Sequence, residues 1–304
     1  MKYDILIIGG GPAGMTAAIY ALRANKTVLI MEKEVIGGKI ASSPLIENYP
    51  GIQEIKGIDL SEQLQEQVTK LGGEIHMEEA LKIEEDGKDK VVVTKTGSYR
   101  GKTVIVATGT RYKMLGLEKE KNFLGRGISF CATCDGFFYK GKTVAVIGGG
   151  NTALTNAQEL ANICQKVYIL QMLDYLTAEP ILIKRIQEKK NVEIIYGISI
   201  TSWIGKEKIE GIEIEKAGKK EIIKVDGVFL AIGQIPETKI VTPKMHINEK
   251  EYIEANGDMS TNIEGVFAAG DCVSKPVRQL TTAVNDGTIA AISAITYIDH
   301  WKDS

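Results

Sequence analysis

The run Ile5-Leu6-Ile7-Ile8-Gly9-Gly10-Gly11-Pro12-Ala13-Gly14 decides the fold. Four consecutive apolar residues that end in glycine predict a strand buried on both faces of a parallel sheet. Pro12 fits the first turn of a helix, which the sequence carries to about Ala24. Thr27-Val28-Leu29-Ile30-Met31 is the next apolar strand, and Glu32 stands at its end. Gly9 permits a tight turn, Gly11 lets backbone approach a pyrophosphate, and Gly14 allows close helix–strand packing. The helix N-terminus brings N–H donors and partial positive charge to phosphate, and Ala13 lies within that first turn. Glu32, 18 residues beyond Gly14, is placed to accept a hydrogen bond from a ribose hydroxyl. Strand, turn, helix, second strand and acid in register predict a dinucleotide-binding unit. The alternative is a tight β-α turn beside an unrelated acid.

The pattern recurs. Thr143 to Ile147 reads as strand, Gly148-Gly149-Gly150 as turn, Thr152 to about Ile163 as helix and Lys166 to Leu170 as strand. Two such units predict an α/β chain of two doubly wound, Rossmann-like, three-layer domains. Thr103 to Gly109 and Val228 to Gly233 are further buried strands that end in small turns. Segments 81–95 and 208–224 alternate apolar and polar residues, as peripheral antiparallel strands do. No low-complexity linker interrupts them.

At 304 residues, a two-domain chain is the natural size. Hydrophobic residues make up 44% and charged residues 25%, so the composition is that of a soluble globular enzyme. A net charge of −2 speaks against nucleic-acid and membrane-surface partners. The first apolar run stops at glycines too soon for a signal peptide, and no stretch approaches the ~20 residues of a membrane helix. The expected location is the cytoplasm, where a close cysteine pair is catalytic or metal-binding rather than structural.

Cys131-Ala132-Thr133-Cys134-Asp135 is the chemical centre. A two-residue spacer brings two sulfurs close enough for a small, reversible disulfide. A metal site would need two more ligands, yet Cys164 and Cys272 are isolated, and His76, His246 and His300 lack ligand spacing. Asp135 is placed to move a proton to or from a thiolate; as an alternative it caps a helix.

The chain resembles the low-molecular-weight thioredoxin reductases over essentially its whole length. The resemblance rests on the first glycine turn, Glu47-Asn48-Tyr49-Pro50-Gly51, Ala107-Thr108-Gly109 and the segment Gly125 to Gly136 that holds both cysteines. It continues through Gly265-Val266-Phe267-Ala268-Ala269-Gly270-Asp271-Cys272 and Arg278-Gln279. It implies non-covalent FAD, a homodimer and thioredoxin as partner. It also implies a discontinuous FAD domain, 1–113 with 241–304, around an inserted cysteine domain, 114–240. Besides the turn and Glu32, the implied cofactor contacts are Gly38, Lys39, Asn48, Ala107, Thr108, Gly109, Gly270, Asp271, Arg278, Gln279 and Leu280. Asp271 would meet the ribityl–pyrophosphate region, and Arg278-Gln279 would lie near the isoalloxazine. Cys134 would face the flavin and Cys131 would attack the protein substrate.

The departures carry equal weight. In that family the second unit presents arginines to the NADPH 2′-phosphate after its second strand. Here the aligned run Gln171-Met172-Leu173-Asp174-Tyr175-Leu176-Thr177-Ala178 has no cation. Losing two charge-assisted hydrogen bonds costs roughly 3–6 kcal/mol, on the order of 10² to 10⁴ in affinity. NADH gains nothing, because Gln171 stands where an acid would be needed. The sequence therefore predicts that NADPH is not the donor and resembles best the ferredoxin-dependent flavin branch. The energetics permit it: a ferredoxin near about −400 mV can reduce a thioredoxin near about −270 mV, a drop of about 6 kcal/mol for two electrons. The competing readings are an NAD(P)H-dependent thioredoxin reductase, an oxygen-using dithiol oxidase and a non-catalytic flavin redox sensor. Lys39 and Glu237 depart from the family without a clear reading. Cys164 is expected on a helix as a core thiol and Cys272 as packing. Lys216 to Lys220 is expected to be a solvated turn.

Overall fold

Alternation at period two, in strands buried on both faces, sets the layers. The computed structural model describes residues 2–43, 46, 48–240 and 243–301, without the side chains of Ser42 and Cys134. It opens with β1 (Lys2–Ile8), α1 (Pro12–Arg23), β2 (Val28–Glu32), α2 (Gly57–Lys70) and β3 (Glu74–Met77). β4 (Ala80–Asp86), β5 (Asp89–Thr94), β6 (Ser98–Val106) and β7 (Thr110–Tyr112) follow. Next come β8 (Ile128–Ser129), α3 (Ala132–Asp135), β9 (Thr143–Ile147), α4 (Asn151–Ala161), β10 (Lys166–Gln171), α5 (Pro180–Gln187) and β11 (Val192–Tyr196). β12 (Ile198–Ile204), β13 (Gly211–Lys216), β14 (Lys219–Lys224) and β15 (Gly227–Leu230) lead to β16 (Gln234–Pro236), β17 (Val266–Ala268) and α6 (Leu280–Asp299). The chain divides into two compact units, Met1–Arg111 with Ile235–Ser304, and Tyr112–Gln234.

In the first unit the strand order is β3-β2-β1-β6-β5-β4, with β17 also paired to β6. β1 lies parallel between β2 and β6, with Ile5 opposite both Val28 and Thr103. Ile5, Ile7, Val28, Ile30 and Ile105 bury one face against the small residues Ala17, Ala21, Ala290 and Ala294 of α1 and α6. Leu6, Ile8, Leu29, Met31 and Val104 bury the other face with Ile83, Val92 and Ile253. Those alanines let the two helices come close, and Gly287 marks the tightest point. A Cβ there would sit 2.2 Å from the Ala13 carbonyl oxygen.

The second unit repeats the logic in the parallel order β11-β10-β9-β15-β8. Val144, Val146, Val167 and Ile169 face α4 and its neighbours, while Ala145, Ile147 and Leu170 face the antiparallel sheet β12-β13-β14. The expected α/β architecture of two Rossmann-like sheets is the one observed. One local expectation is corrected. Cys164 is not on a helix, because α4 ends at Ala161. The Asn191 amide donates to the carbonyls of Ala161 and Cys164, which closes the helix end early. Lys216 to Lys220 forms the β13–β14 turn, with Ala217 at φ 49° and Gly218 at φ 77°.

Candidate cofactor and disulfide sites

The first glycine turn is shaped by backbone crowding. Gly9 has φ 112°, and a Cβ on it would lie 2.3 Å from the Ala107 oxygen. A Cβ on Gly14 would lie 2.0 Å from the Gly9 oxygen. Gly11 is different, for a Cβ there would meet nothing within 4 Å. Gly11 is the N-cap of α1 without a side-chain cap, and Pro12 follows in the first helical turn. The start of the helix, Pro12-Ala13-Gly14, therefore borders open space with N–H donors still to be matched, which is the arrangement that takes a phosphate.

Glu32 ends β2 as expected and is buried. Its carboxylate accepts from the Gly10 N–H at 2.7 Å and the Glu34 N–H at 2.8 Å. A cavity opens beside it, lined by Gly9, Glu32, Lys33, Thr108, Glu237 and Ile240. The Thr108 hydroxyl is buried and meets no nitrogen or oxygen partner among the described residues, only the Cys272 sulfur. A buried hydroxyl with an acceptor capacity to spare, a carboxylate with remaining lone pairs and an open helix N-terminus together fit the ribose and phosphates of a dinucleotide such as FAD.

Two further pieces close around this turn. Gly37 donates to the Gly10 carbonyl at 2.8 Å, which brings the 3-10 turn Gly38–Ser42 against it. Lys39 extends from that turn and pairs with Asp271 at 2.8 Å and the Thr110 hydroxyl at 2.6 Å. Gly270 approaches Ala13 so closely that a Cβ would meet the alanine's own at 2.9 Å. Gln279 caps α6 through a capping box with Thr282, and Leu280 begins the helix. Arg278 donates to the carbonyls of Asp271, Val273 and Lys275 and stacks over Tyr252 at 3.9 Å. Ala107 is buried, and Gly109 is left-handed at φ 67°. Asn48 is exposed, and Glu47 lies outside the described residues. Asp286 was not foreseen. It is buried on α6, accepts from the Gly270 N–H at 3.2 Å and pairs with Lys275 at 2.5 Å. A lone acid on the apolar, small-residue face of that helix was the available signal. Glu237, too, gains a place: it bridges Lys33 at 2.9 Å and Arg111 at 2.7 Å.

The second glycine turn has the same backbone. Gly148 has φ 128°, with the Ala231 oxygen 2.4 Å from where its Cβ would be. The strand end differs. Gln171 is buried and turns its amide inward, donating to the Tyr175 carbonyl at 3.0 Å and accepting from the Met172 N–H at 3.1 Å. A Cβ on Gly149 would fall 2.4 Å from the Gln171 amide nitrogen. Thr177 donates to the Gly149 carbonyl at 2.8 Å, which folds the loop onto the turn. Met172, Leu173 and Tyr175 are exposed, and no lysine or arginine occurs between Gln171 and Ala178.

Cys131 lies just before α3 and is disulfide-bonded. Its N–H is held by the Ser129 hydroxyl at 3.1 Å, and its carbonyl accepts from the Asp135 N–H at 3.1 Å. The Cys134 side chain lies outside the described part, while its backbone belongs to α3. Asp135 ends α3 and makes no side-chain cap. Phe137 and Phe138 follow at 75% and 70% exposure, the most exposed large apolar side chains among the described residues. Cys164 and Cys272 are free and buried. Burial pushes the Cys164 thiol up to about 11 and also raises that of Cys272. Both are held as unreactive thiols.

The family model for pyridine nucleotide-disulphide oxidoreductases matches residues 3–287. The chain is 38% identical to the thioredoxin reductase of Bacillus subtilis over 306 residues, covering 99% of this chain and 96% of that protein. The thioredoxin reductase structure of Lactococcus lactis is 35% identical, with a TM-score of 0.86 over 98% of this chain and 100% of that one. A ferredoxin-flavin thioredoxin reductase of Clostridium acetobutylicum is 32% identical, with a TM-score of 0.55 over 99% of each chain. A match over nearly the whole length, to a chain with two glycine turns at Rossmann-like strand ends and a disulfide-bonded Cys131, places this protein in the pyridine nucleotide-disulphide oxidoreductase family.

Proposed function

We propose that the chain is a thioredoxin reductase, in which FAD held at the first glycine turn supplies the electrons that open the disulfide of Cys131. The observation that carries this is the disulfide of Cys131 in a Cys-x-x-Cys pair beside two exposed phenylalanines. Two exposed aromatic side chains six and seven residues along the chain from a disulfide suit a protein substrate better than a small one. In the dithiol form, the Cys131 thiolate attacks one sulfur of the thioredoxin disulfide and releases the other as thiolate. Cys134 then attacks Cys131, which frees the second thioredoxin sulfur and restores the Cys131–Cys134 disulfide. One electron pair passes to the substrate, and one of the two protons is assigned to Asp135, the acid that follows Cys134 in sequence. Uptake of about one FAD per subunit, and loss of thioredoxin reduction in Cys131→Ser, are the tests.

For the donor, the comparisons support a pyridine nucleotide. The family bears that name, and the better structural fit is to a thioredoxin reductase without a stated ferredoxin link. One specific observation favours ferredoxin instead. The loop Gln171 to Ala178 offers no cation to a 2′-phosphate, and the Gln171 amide fills the space over Gly149. Anaerobic mixing with NADPH, NADH and reduced ferredoxin, followed by flavin absorbance, separates the two. Rapid stoichiometric bleaching by NADPH or NADH supports the first. Bleaching by ferredoxin alone supports the second. Oxygen-dependent turnover of a small dithiol, without thioredoxin reduction from any donor, contradicts both.

A further inference from the structure

The helix that holds the cysteine pair and the helix packed against it are charged in one sense. α3 and α4 bear two charged side chains between them, Asp135 and Glu159, both acidic. Reactive thiols ordinarily sit in electropositive surroundings, which favour the thiolate, yet α3 and α4 supply no cation. Thr133 stands between the two cysteines in sequence, and its hydroxyl donates to the Glu159 carboxylate at 2.7 Å. Glu159 is half-buried and makes no ion pair among the described residues. Backbone ties keep the segment in place. The Ser129 hydroxyl, buried in β8, accepts from the Cys131 N–H at 3.1 Å and donates to the Cys131 carbonyl at 3.3 Å. The Asp135 N–H donates to that same carbonyl at 3.1 Å. A negative charge is therefore fixed at the turn between the cysteines. Reduction makes a neutral group ionisable: the disulfide takes up two electrons and one proton and becomes a thiol and a thiolate. A nearby carboxylate disfavours the thiolate and leaves the neutral disulfide untouched. Such a pair is harder to reduce and, once reduced, passes its electron pair on more readily.

Resting on the disulfide-reductase reading above, we propose that Glu159 is a positioning residue that makes the Cys131–Cys134 pair a stronger reductant, by holding its negative charge against Thr133. The test is an anaerobic redox titration of the FAD-loaded full chain in dithiothreitol buffers, with the Cys131 and Cys134 thiols trapped by alkylation and counted by mass spectrometry. Glu159→Gln keeps an acceptor for Thr133 and removes the charge. It shifts the equilibrium toward the dithiol about 3- to 10-fold, up to about 30 mV for two electrons. Glu159→Asp keeps the charge and stays within about twofold of the unsubstituted chain. Thr133→Val releases the carboxylate and shifts the equilibrium the same way, and adding it to Glu159→Gln moves the equilibrium no further. Salt at about 1 M narrows the gap between Glu159→Gln and the unsubstituted chain, because the field crosses partly exposed surface. A merely structural Glu159 predicts otherwise: Glu159→Gln titrates as the unsubstituted chain does, at low salt and at high. That result, or a shift of Glu159→Gln toward the disulfide, overturns the proposal alone. If Cys131 and Cys134 of the unsubstituted chain do not open and close together in the titration, the disulfide-reductase reading falls and this proposal with it.

Discussion

Single residues divide the four cysteines into two chemical classes. Cys131 is bridged and partly accessible, while Cys164 and Cys272 are buried thiols with raised pKa values. Because the thiolate is the nucleophile, a thiol held near 11 is almost wholly protonated at pH 8. Alkylation with iodoacetamide at pH 8 after mild reduction is expected to modify Cys131 and leave Cys164 and Cys272 unlabelled until the chain unfolds. Mass spectrometry of tryptic peptides reads this directly, and prompt labelling of Cys164 in folded protein would contradict the burial argument. At this scale the sequence was informative wherever chemistry and spacing coincide. Gly9, Gly14, Glu32 and the Cys131–Cys134 spacing stand out in a one-dimensional string. Asp286 and the Lys39–Asp271 pair do not, because 232 positions separate the last two and only the fold brings them together.

Elements show how one backbone serves two outcomes. β2 and β10 end in the same place relative to their glycine turns. Glu32 accepts from the Gly10 N–H and borders a cavity, whereas Gln171 bonds to its own loop and covers Gly149. The strand, turn and helix of each unit were legible because buried parallel strands read as unbroken apolar runs. What the sequence could not show was the direction of the Gln171 amide, which depends on the Met172 N–H beside it and the Tyr175 carbonyl four positions later. The missing charge makes a prediction for either donor. Met172→Arg with Leu173→Arg should raise the affinity for NADPH relative to NADH by at least about tenfold, the scale of one charge-assisted contact to a 2′-phosphate. Kd values from fluorescence titration decide it, and an unchanged ratio would show that this loop does not meet the phosphate.

The central strands also carry a titration signature. Asp4 of β1 receives the Thr27 N–H at 2.9 Å and the Thr27 hydroxyl at 3.0 Å, and pairs with Lys102 at 2.8 Å. Burial pushes the Asp4 carboxyl up, but the bonds from Lys102 and Thr27 outweigh it and hold the group below its usual 3.8. Asp89 is lowered in the same way: Lys2 and Arg100 outweigh its burial. A lowered folded pKa adds stability above the unfolded value, and that stability disappears as pH falls through the folded one. Stability should therefore fall steeply below about pH 4. Asp4→Asn should start with a lower Tm at pH 6 and lose less between pH 5 and pH 3 than the unsubstituted chain. Parallel Tm curves for the two would show that Asp4 does not titrate differently on folding.

At the scale of the whole molecule, two Rossmann-like units divide the labour. The first unit keeps an open helix N-terminus, a buried acid at the end of β2 and a cavity beside it. The second keeps the backbone of such a site, packs Gln171 over Gly149 and carries the disulfide of Cys131. Among the described residues no helix is long and apolar enough to cross a membrane. In the proposed function, electrons placed on the flavin leave through Cys131 to a protein disulfide, whichever donor supplied them. The direct measurement is anaerobic and needs no physiological donor. The FAD-loaded chain is reduced chemically, freed of reductant and mixed with oxidised thioredoxin, and the thioredoxin thiols are counted. One thioredoxin disulfide is expected to open for each electron pair held by the enzyme, and none with Cys131→Ser. Reduced enzyme that leaves thioredoxin oxidised, or a Cys131→Ser variant that reduces it as fast as the unsubstituted chain, would contradict it.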